Sequence, residues 1–295
     1  MEFIVIVIGL FILNRAGSLP SLQRDNWYRG WMIRLDGQRW LKVVPHGSLI
    51  LSLLLPVLLV ALLLMVLDDH WFGLPQFLLS LLLFLYSLGR GDLEEQVEGY
   101  RDDLKRDDLE AAYRDAADFN PAHEEGASEN WSQLHAEALG AMSYRYFERY
   151  FAVIFWFMLA GAPGAILYRL SVLHSDMALD DAADKSMVGR WLQLMEWLPV
   201  RLMGVSLAFV GNFTACLECL RNSLFSMSDS TVDVVASYVL AALPAGSTKI
   251  DSTEVDRAEV DSPPSRELEV SEISALFSRT LVFSLCMIGL LMMLL

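Results

Sequence analysis

The run from Phe147 to Arg169, FERYFAVIFWFMLAGAPGAILYR, leaves this chain few ways to fold. After Glu148 and Arg149 come eighteen uncharged, mostly apolar residues, Tyr150 to Leu167, interrupted only by Gly161-Ala-Pro-Gly164 and closed by Tyr168-Arg169. A helix on a water-facing surface shows polar residues every third or fourth position. This run shows none, and its length suits the roughly 30 Å hydrocarbon core of a bilayer. A shorter echo follows at Trp197–Gly211, WLPVRLMGVSLAFVG, apolar again but with Pro199 and Arg201 near its start.

The rest of the chain agrees with a membrane setting. Its 295 residues are 54% hydrophobic with a formal net charge of −15, and the mean hydropathy is +0.39. A soluble domain of this size is seldom so apolar, and a disordered chain never is. The apolar residues come in blocks that alternate with acidic stretches. The expected fold class is therefore an all-α polytopic membrane protein, with about four to six membrane helices plus amphipathic cytoplasmic helices. The acidic balance excludes a nucleic-acid partner, because phosphate backbones need Lys/Arg-rich faces. Cys216, Cys219 and Cys286 cannot form a disulfide framework. Cys216-Leu-Glu-Cys219 reads as two small residues on successive helix turns, with a redox or metal site as the alternative.

Taken in order, residues 1–89 form an N-terminal membrane part. The apolar run 3–13 would span only about 16 Å as a helix, too short to cross alone. Residues 14–47 carry Arg15, Arg24, Arg29, Arg34, Arg39 and Lys42 against Asp25 and Asp36. Basic residues beside a span face the cytoplasm, and Trp27, Trp31 and Trp40 suit the headgroup zone. Ser48–Leu67 reads as a span that tolerates Pro56, and Leu74–Leu88 as its return. Residues 90–147 form an acidic cytoplasmic helical region. There Leu93, Val97, Tyr100 and Leu104, then Leu109, Ala112, Tyr113 and Ala116, fall at helical spacing in charged runs. A central membrane pair is expected over 148–213. A helical region with an acidic tether follows over 214–275, and a last membrane helix over 276–295. Whether 3–13 and 197–213 cross fully, and hence the side on which 214–275 lies, stays open at this level.

No GxxxxGK[ST], HExxH or GxSxG motif is present. What stands out instead is charge at membrane depth. Arg169 ends one apolar run and Arg201 opens the next, so consecutive antiparallel helices would bring both to one membrane face. Arginine at such depth is normally paired or functional. One reading is an anion clamp of Arg169 and Arg201 walled by Tyr168 and Trp197, with Glu148 and Asp176 as further ligand-binding candidates. The other is snorkelling, or structural pairing with Glu148, Asp176 or Glu196. Asp180-Asp181-Ala-Ala-Asp184 has the DDxxD form that holds magnesium on diphosphates elsewhere, but no matched second acidic motif accompanies it, so these three are weak metal candidates.

Four stretches together carry a family resemblance: the basic Trp-rich segment after the short first helix, Asp107-Asp-Leu-Glu-Ala-Ala112, FWFMLAGAPGAILYR, and EWLPVRLMGV. They resemble the AmpE family of the Gram-negative inner membrane, associated with the AmpD amidase and induction of AmpC β-lactamase. That family is in turn similar to CobD/CbiB, membrane enzymes that join an aminopropanol to a corrinoid acid. Gly164, Ala165, Tyr168, Arg169, Trp197, Pro199, Arg201 and Leu202 fit the CobD/CbiB pattern. Its acids are mostly replaced: Tyr144, Val172, Ser175, Leu192, Gln193 and Glu196 stand at its polar positions, while Glu148 keeps one acid. The resemblance implies a non-enzymatic multi-pass inner-membrane sensor or modulator in cell-wall stress and β-lactamase induction. It implies no cofactor. The expected partners are the bilayer, AmpD or another cell-wall recycling protein, and an anionic small molecule or lipid. The second reading is a CobD/CbiB-like ligase using Glu148, Asp176 and Asp180–Asp184 with magnesium. A transporter comes third, since broken helices fit but no internal repeat is visible.

Overall fold

The structure is a computed structural model that describes residues 1–17, 25–36, 47–67, 73–89, 93–106, 108–119, 131–177, 182–224, 229–243 and 263–294. Every described element is helical, and the chain is an all-α membrane protein. Helices Leu49–Leu67, Leu134–Met177 and Arg266–Leu294 are long and apolar enough to cross a bilayer, and Leu74–Ser87 and Thr231–Ala242 are shorter apolar helices. The chain divides into two compact units, Met1–Gly91 with Ala152–Glu196, and Asp92–Phe151 with Trp197–Leu295.

The first unit contains α1 (Glu2–Ala16), α2 (Asn26–Asp36), α3 (Gly47–Leu67), α4 (Leu74–Ser87), α8 (Val153–Met177) and the first part of α9 (Ala182–Val210). Helix α8 is its centre, packing on α1, α3 and α4. Hydrophobic patterning sets the core: Leu49 and Leu53 of α3, Tyr86 of α4, and Ile166, Leu170 and Leu173 of α8 are buried together with Tyr28 of α2. Phe84 meets Phe157 edge-on at 4.8 Å. Gly9 allows this, since a Cβ there would sit 2.6 Å from the Phe84 ring. Leu54, Leu58, Leu59, Leu62 and Leu63 of α3 are exposed. Such a surface is stable against lipid chains and costly against water.

Helix α8 is broken. Gly161 has φ 65° and ψ −159°, a left-handed conformation that only glycine adopts readily, two residues before Pro163. The chain bends there so sharply that a Cβ on Gly164 would lie 2.5 Å from the Trp156 carbonyl oxygen. Residues eight apart along a straight helix are about 12 Å apart. The run expected to be one kinked helix is therefore two half-helices. The second continues past the expected end at Arg169 to Met177, because Leu170, Val172, Leu173 and His174 are all buried.

The second unit contains α5 (Leu93–Arg106), α6 (Leu109–Phe119), α7 (Trp131–Tyr146), a π-helical turn (Phe147–Ala152), the rest of α9, α10 (Phe213–Ser223), α11 (Thr231–Ala242) and α12 (Pro263–Leu294). Leu93, Val97, Tyr100 and Leu104 of α5 are all buried, as their spacing requires. Helices α5, α6 and α7 pack on one another, α7 also on α11, and α12 on α5 and α7. Gly204 admits the Tyr238 ring, and Gly211 admits Ala242, whose carbonyl accepts the Asn212 amide at 3.1 Å. Two boundaries differ from expectation. Helix α9 begins at least a dozen residues before Trp197 and includes Pro199. Helix α12 begins at Pro263 rather than 276, because Val270, Ile273, Leu276 and Phe277 bury one face of a stretch that also carries Glu267, Glu269 and Glu272. Cys216 and Cys219 lie on α10 and, like Cys286, are free thiols.

Candidate functional site

Within the first unit, the second half of α8 gathers a set of buried polar side chains from four other helices. Asp25, just ahead of α2, accepts from Arg169 Nη2 at 3.2 Å on one carboxylate oxygen and from the Tyr86 hydroxyl at 3.1 Å on the other. The Tyr86 oxygen in turn accepts from the Trp27 indole at 3.1 Å. Asp25 is 1% exposed and Arg169 7% exposed, so this ion pair is withdrawn from solvent rather than a surface contact of small worth. Gly89, with φ 84°, makes room for it: a Cβ there would stand 3.2 Å from Arg169 Nη1.

One turn along α2, the Tyr28 hydroxyl lies 3.1 Å from His174 Nδ1. Ser52 of α3 donates to the Leu49 carbonyl and approaches the same nitrogen at 3.3 Å. Burial pushes the Tyr28 phenol up to about 12, with the Ser52 hydrogen bond pulling the other way. The phenol therefore stays protonated and can donate to His174 Nδ1 in the tautomer that leaves this nitrogen bare. Arg169 and His174 thus hold the first turn of α2 against the α8 half-helix. The neighbouring face of that half-helix meets α9: the Tyr168 hydroxyl donates to Glu196 at 2.9 Å, and the Trp191 indole donates to Ser171 at 3.0 Å.

The other half of the expected clamp belongs to the second unit and has its own partners. The Arg201 guanidinium lies 5.0 Å above the Trp197 ring and donates to the carbonyls of Trp197 at 3.1 Å and Ser223 at 2.9 Å. The Trp197 indole N–H is buried and has no hydrogen-bond acceptor among the described residues. Glu148, also in this unit, sits in the π-helical turn and accepts from Arg145 Nη1 at 2.8 Å. Arg145 also donates to the Phe119 carbonyl, tying α7 to α6. Asp176 is exposed near the end of α8. Asp180 and Asp181 lie outside the described residues, as does the side chain of Asp184. Among the described residues no group of three His, Cys, Asp or Glu side chains is placed to hold a metal.

Of the counter-charges expected for Arg169, none is the carboxylate described above; Asp25 lies 144 residues away. Its only sequence signal is that it stands as an acid among basic residues. Tyr28, Ser52, Tyr86 and His174 gave no local signal, since each is a common residue in an apolar or amphipathic helix.

Residues 27–278 match the family described as Regulatory signalling modulator protein AmpE. Over 175 residues the chain is 31% identical to Cobalamin biosynthesis protein CobD of Stutzerimonas stutzeri (strain A1501), a match covering 57% of this chain. The chain spans only about half, 54%, of that relative's length. Over 234 residues it is 24% identical to Protein AmpE of Shigella flexneri, covering 72% of this chain and 80% of that protein. No solved structure matches. The family match runs from the first turn of α2 through the first half of α12 and takes in Arg169 and the Trp197–Arg201 pair, with Asp25 two residues ahead of it, so this membrane chain belongs to the AmpE family of regulatory signalling modulators.

Proposed function

We propose that the chain is a non-enzymatic inner-membrane sensor or modulator in a Gram-negative cell, acting in the response to cell-wall stress and β-lactams through an anionic ligand. The observation that carries the ligand part is the Trp197 indole N–H, buried without an acceptor among the described residues and beside the Arg201 guanidinium. A buried donor without a partner is costly, so a site built this way favours a ligand that brings an acceptor oxygen. An anion there would take the indole hydrogen bond and share the guanidinium charge. The Asp25–Arg169 network supports a different role: it fixes α2 on α8 and gives the first unit a single arrangement.

The test is made in a β-lactamase-inducible strain lacking this chain and complemented with variants. Arg201→Ala and Trp197→Phe should each change β-lactamase activity after β-lactam exposure severalfold at an unchanged level of the membrane protein. Trp197→Phe keeps the ring and removes only the N–H, so it isolates the ligand contact from packing. Normal induction in both variants would end the anion-binding reading. Normal induction in the strain lacking the chain would end the regulatory one.

The likeness to CobD favours a second reading, a role in cobalamin biosynthesis. It requires the chain to restore cobalamin synthesis to a strain lacking CobD, and to lose that ability on Glu148→Gln or Asp176→Asn.

A further inference from the structure

Helices α2 and α3 enclose a groove of about 460 Å³, within the roughly 300–1,000 Å³ of small-molecule sites. Gly30, Trp31 and Arg34 form the α2 side; Leu55, Pro56 and Leu59 form the α3 side. Three features say what it takes. The Trp31 indole N–H is buried and has no acceptor among the described residues. The space beside Gly30 is open, with no atom of the described residues within 4 Å of where a Cβ would stand. The α3 wall is continuous with the exposed apolar surface of Leu58, Leu59 and Leu62, on a helix long enough to cross a bilayer. The surrounding stretch 14–47 has six basic residues against two acids, and Arg34 is the exposed cation at the groove itself.

We propose that this groove holds one anionic phospholipid. Its phosphate accepts from Trp31 Nε1 and from the Arg34 guanidinium, and the start of an acyl chain lies along Leu55, Pro56 and Leu59. A charge-assisted bond to phosphate is about twice as strong as a neutral one. Water alone would satisfy the indole but would leave the apolar wall wet. A free phosphate would satisfy the donors and leave that wall equally uncovered. A zwitterionic lipid would cover the wall, but its ammonium would work against Arg34 at the groove. A lipid with net negative charge answers all of these at once, and the site is separate from the Trp197–Arg201 pair.

The test uses the full-length chain, stripped of lipid in detergent and titrated with dioleoyl phosphatidylglycerol while retained lipid is counted by native mass spectrometry. One saturable phosphatidylglycerol per chain is expected, held about fivefold more tightly than dioleoyl phosphatidylethanolamine, whose phosphate is the same but whose ammonium cancels the net charge that Arg34 attracts. Arg34→Gln should weaken retention about tenfold, the scale of one charge-assisted hydrogen bond. Gly30→Leu, whose Cβ would meet no atom of the described residues within 4 Å, extends its side chain into the groove and should abolish retention at unchanged helicity. Glycerol phosphate should not compete. Equal retention of the two lipids, or of phosphatidylglycerol by wild type and Gly30→Leu, overturns the proposal. Effective competition by glycerol phosphate would make it a free-phosphate site and also overturn it. So would a Gly30→Leu variant that keeps its lipid but dissociates a dimer, because the groove would then be a protein interface.

Discussion

Replacing Asp25 with alanine should cost about 3–4 kcal/mol, an unusually large effect for a residue just outside a helix. The carboxylate is 1% exposed and the Arg169 side chain 9% exposed, so the screening that reduces surface pairs to about 0–1 kcal/mol does not apply. Asp25 accepts two hydrogen bonds on separate oxygens. The one from Tyr86 to a charged acceptor is worth about 1.5 kcal/mol and the one from Arg169 about 1.5–3 kcal/mol. Their joint loss falls within the roughly 3–5 kcal/mol seen when one member of a buried pair is removed. Asp25→Asn keeps an acceptor for Tyr86 and should cost about half as much. The double variant Asp25→Leu/Arg169→Met removes both charges and should recover at least half of the single-variant loss, because no buried ion is left without its counterpart. Unfolding of the purified chain in maltoside micelles, driven by added dodecyl sulfate and followed by circular dichroism, measures all four proteins. An Asp25→Ala variant within about 0.5 kcal/mol of wild type, or a double variant no more stable than Asp25→Ala, would refute the pair as a structural fixture.

Three further outcomes are expected. Gly89→Ala places a β-carbon at φ 84° and 3.2 Å from Arg169 Nη1, so it should destabilise by about 1–3 kcal/mol in the same unfolding assay. Gly164→Ala cannot be accommodated without opening the bend, since its Cβ would lie 2.5 Å from a backbone oxygen; it should change cysteine-labelling accessibility at positions 156–164, whereas Gly189→Ala, with open space around it, should not. The Tyr100 phenol is raised above its ordinary value mainly by burial, so it favours the fold fully below about pH 10 and loses that favour as pH rises toward the folded-state value, while the unfolded chain ionises. Tyr100→Phe should therefore lose less stability than wild type above pH 10, although it forfeits about 1 kcal/mol at neutral pH with the hydrogen bond to His135 at 3.1 Å; an unchanged alkaline slope would contradict this.

The family resemblance visible in FWFMLAGAPGAILYR and WLPVRL led to the same family as the match over residues 27–278. The site was less legible. Arg169 stood out because a charge at the end of an apolar run is rare, yet the partner observed is Asp25, in a stretch whose basic residues mask it. Arg201 stood out for the same reason, but its contact with the Ser223 carbonyl depends on how α9 and α10 meet. Helix α12 was read too short because its apolar face is diluted by Glu267, Glu269 and Glu272, so hydropathy averaged along the chain hid a helix that packing reveals.

The sequence by itself determined what each segment is. Long uncharged runs must be helices in lipid, because the bilayer offers backbone groups no other partner. Leu93, Val97, Tyr100 and Leu104 must share one face, because a helix repeats every 3.6 residues. These constraints are local and can be read from a window of the chain. Only the tertiary structure decided where α8 breaks, which carboxylate meets Arg169, and that α2 and α3 leave a groove beside Gly30. Those depend on residues far apart in sequence arriving together, and nothing in either local pattern encodes the other.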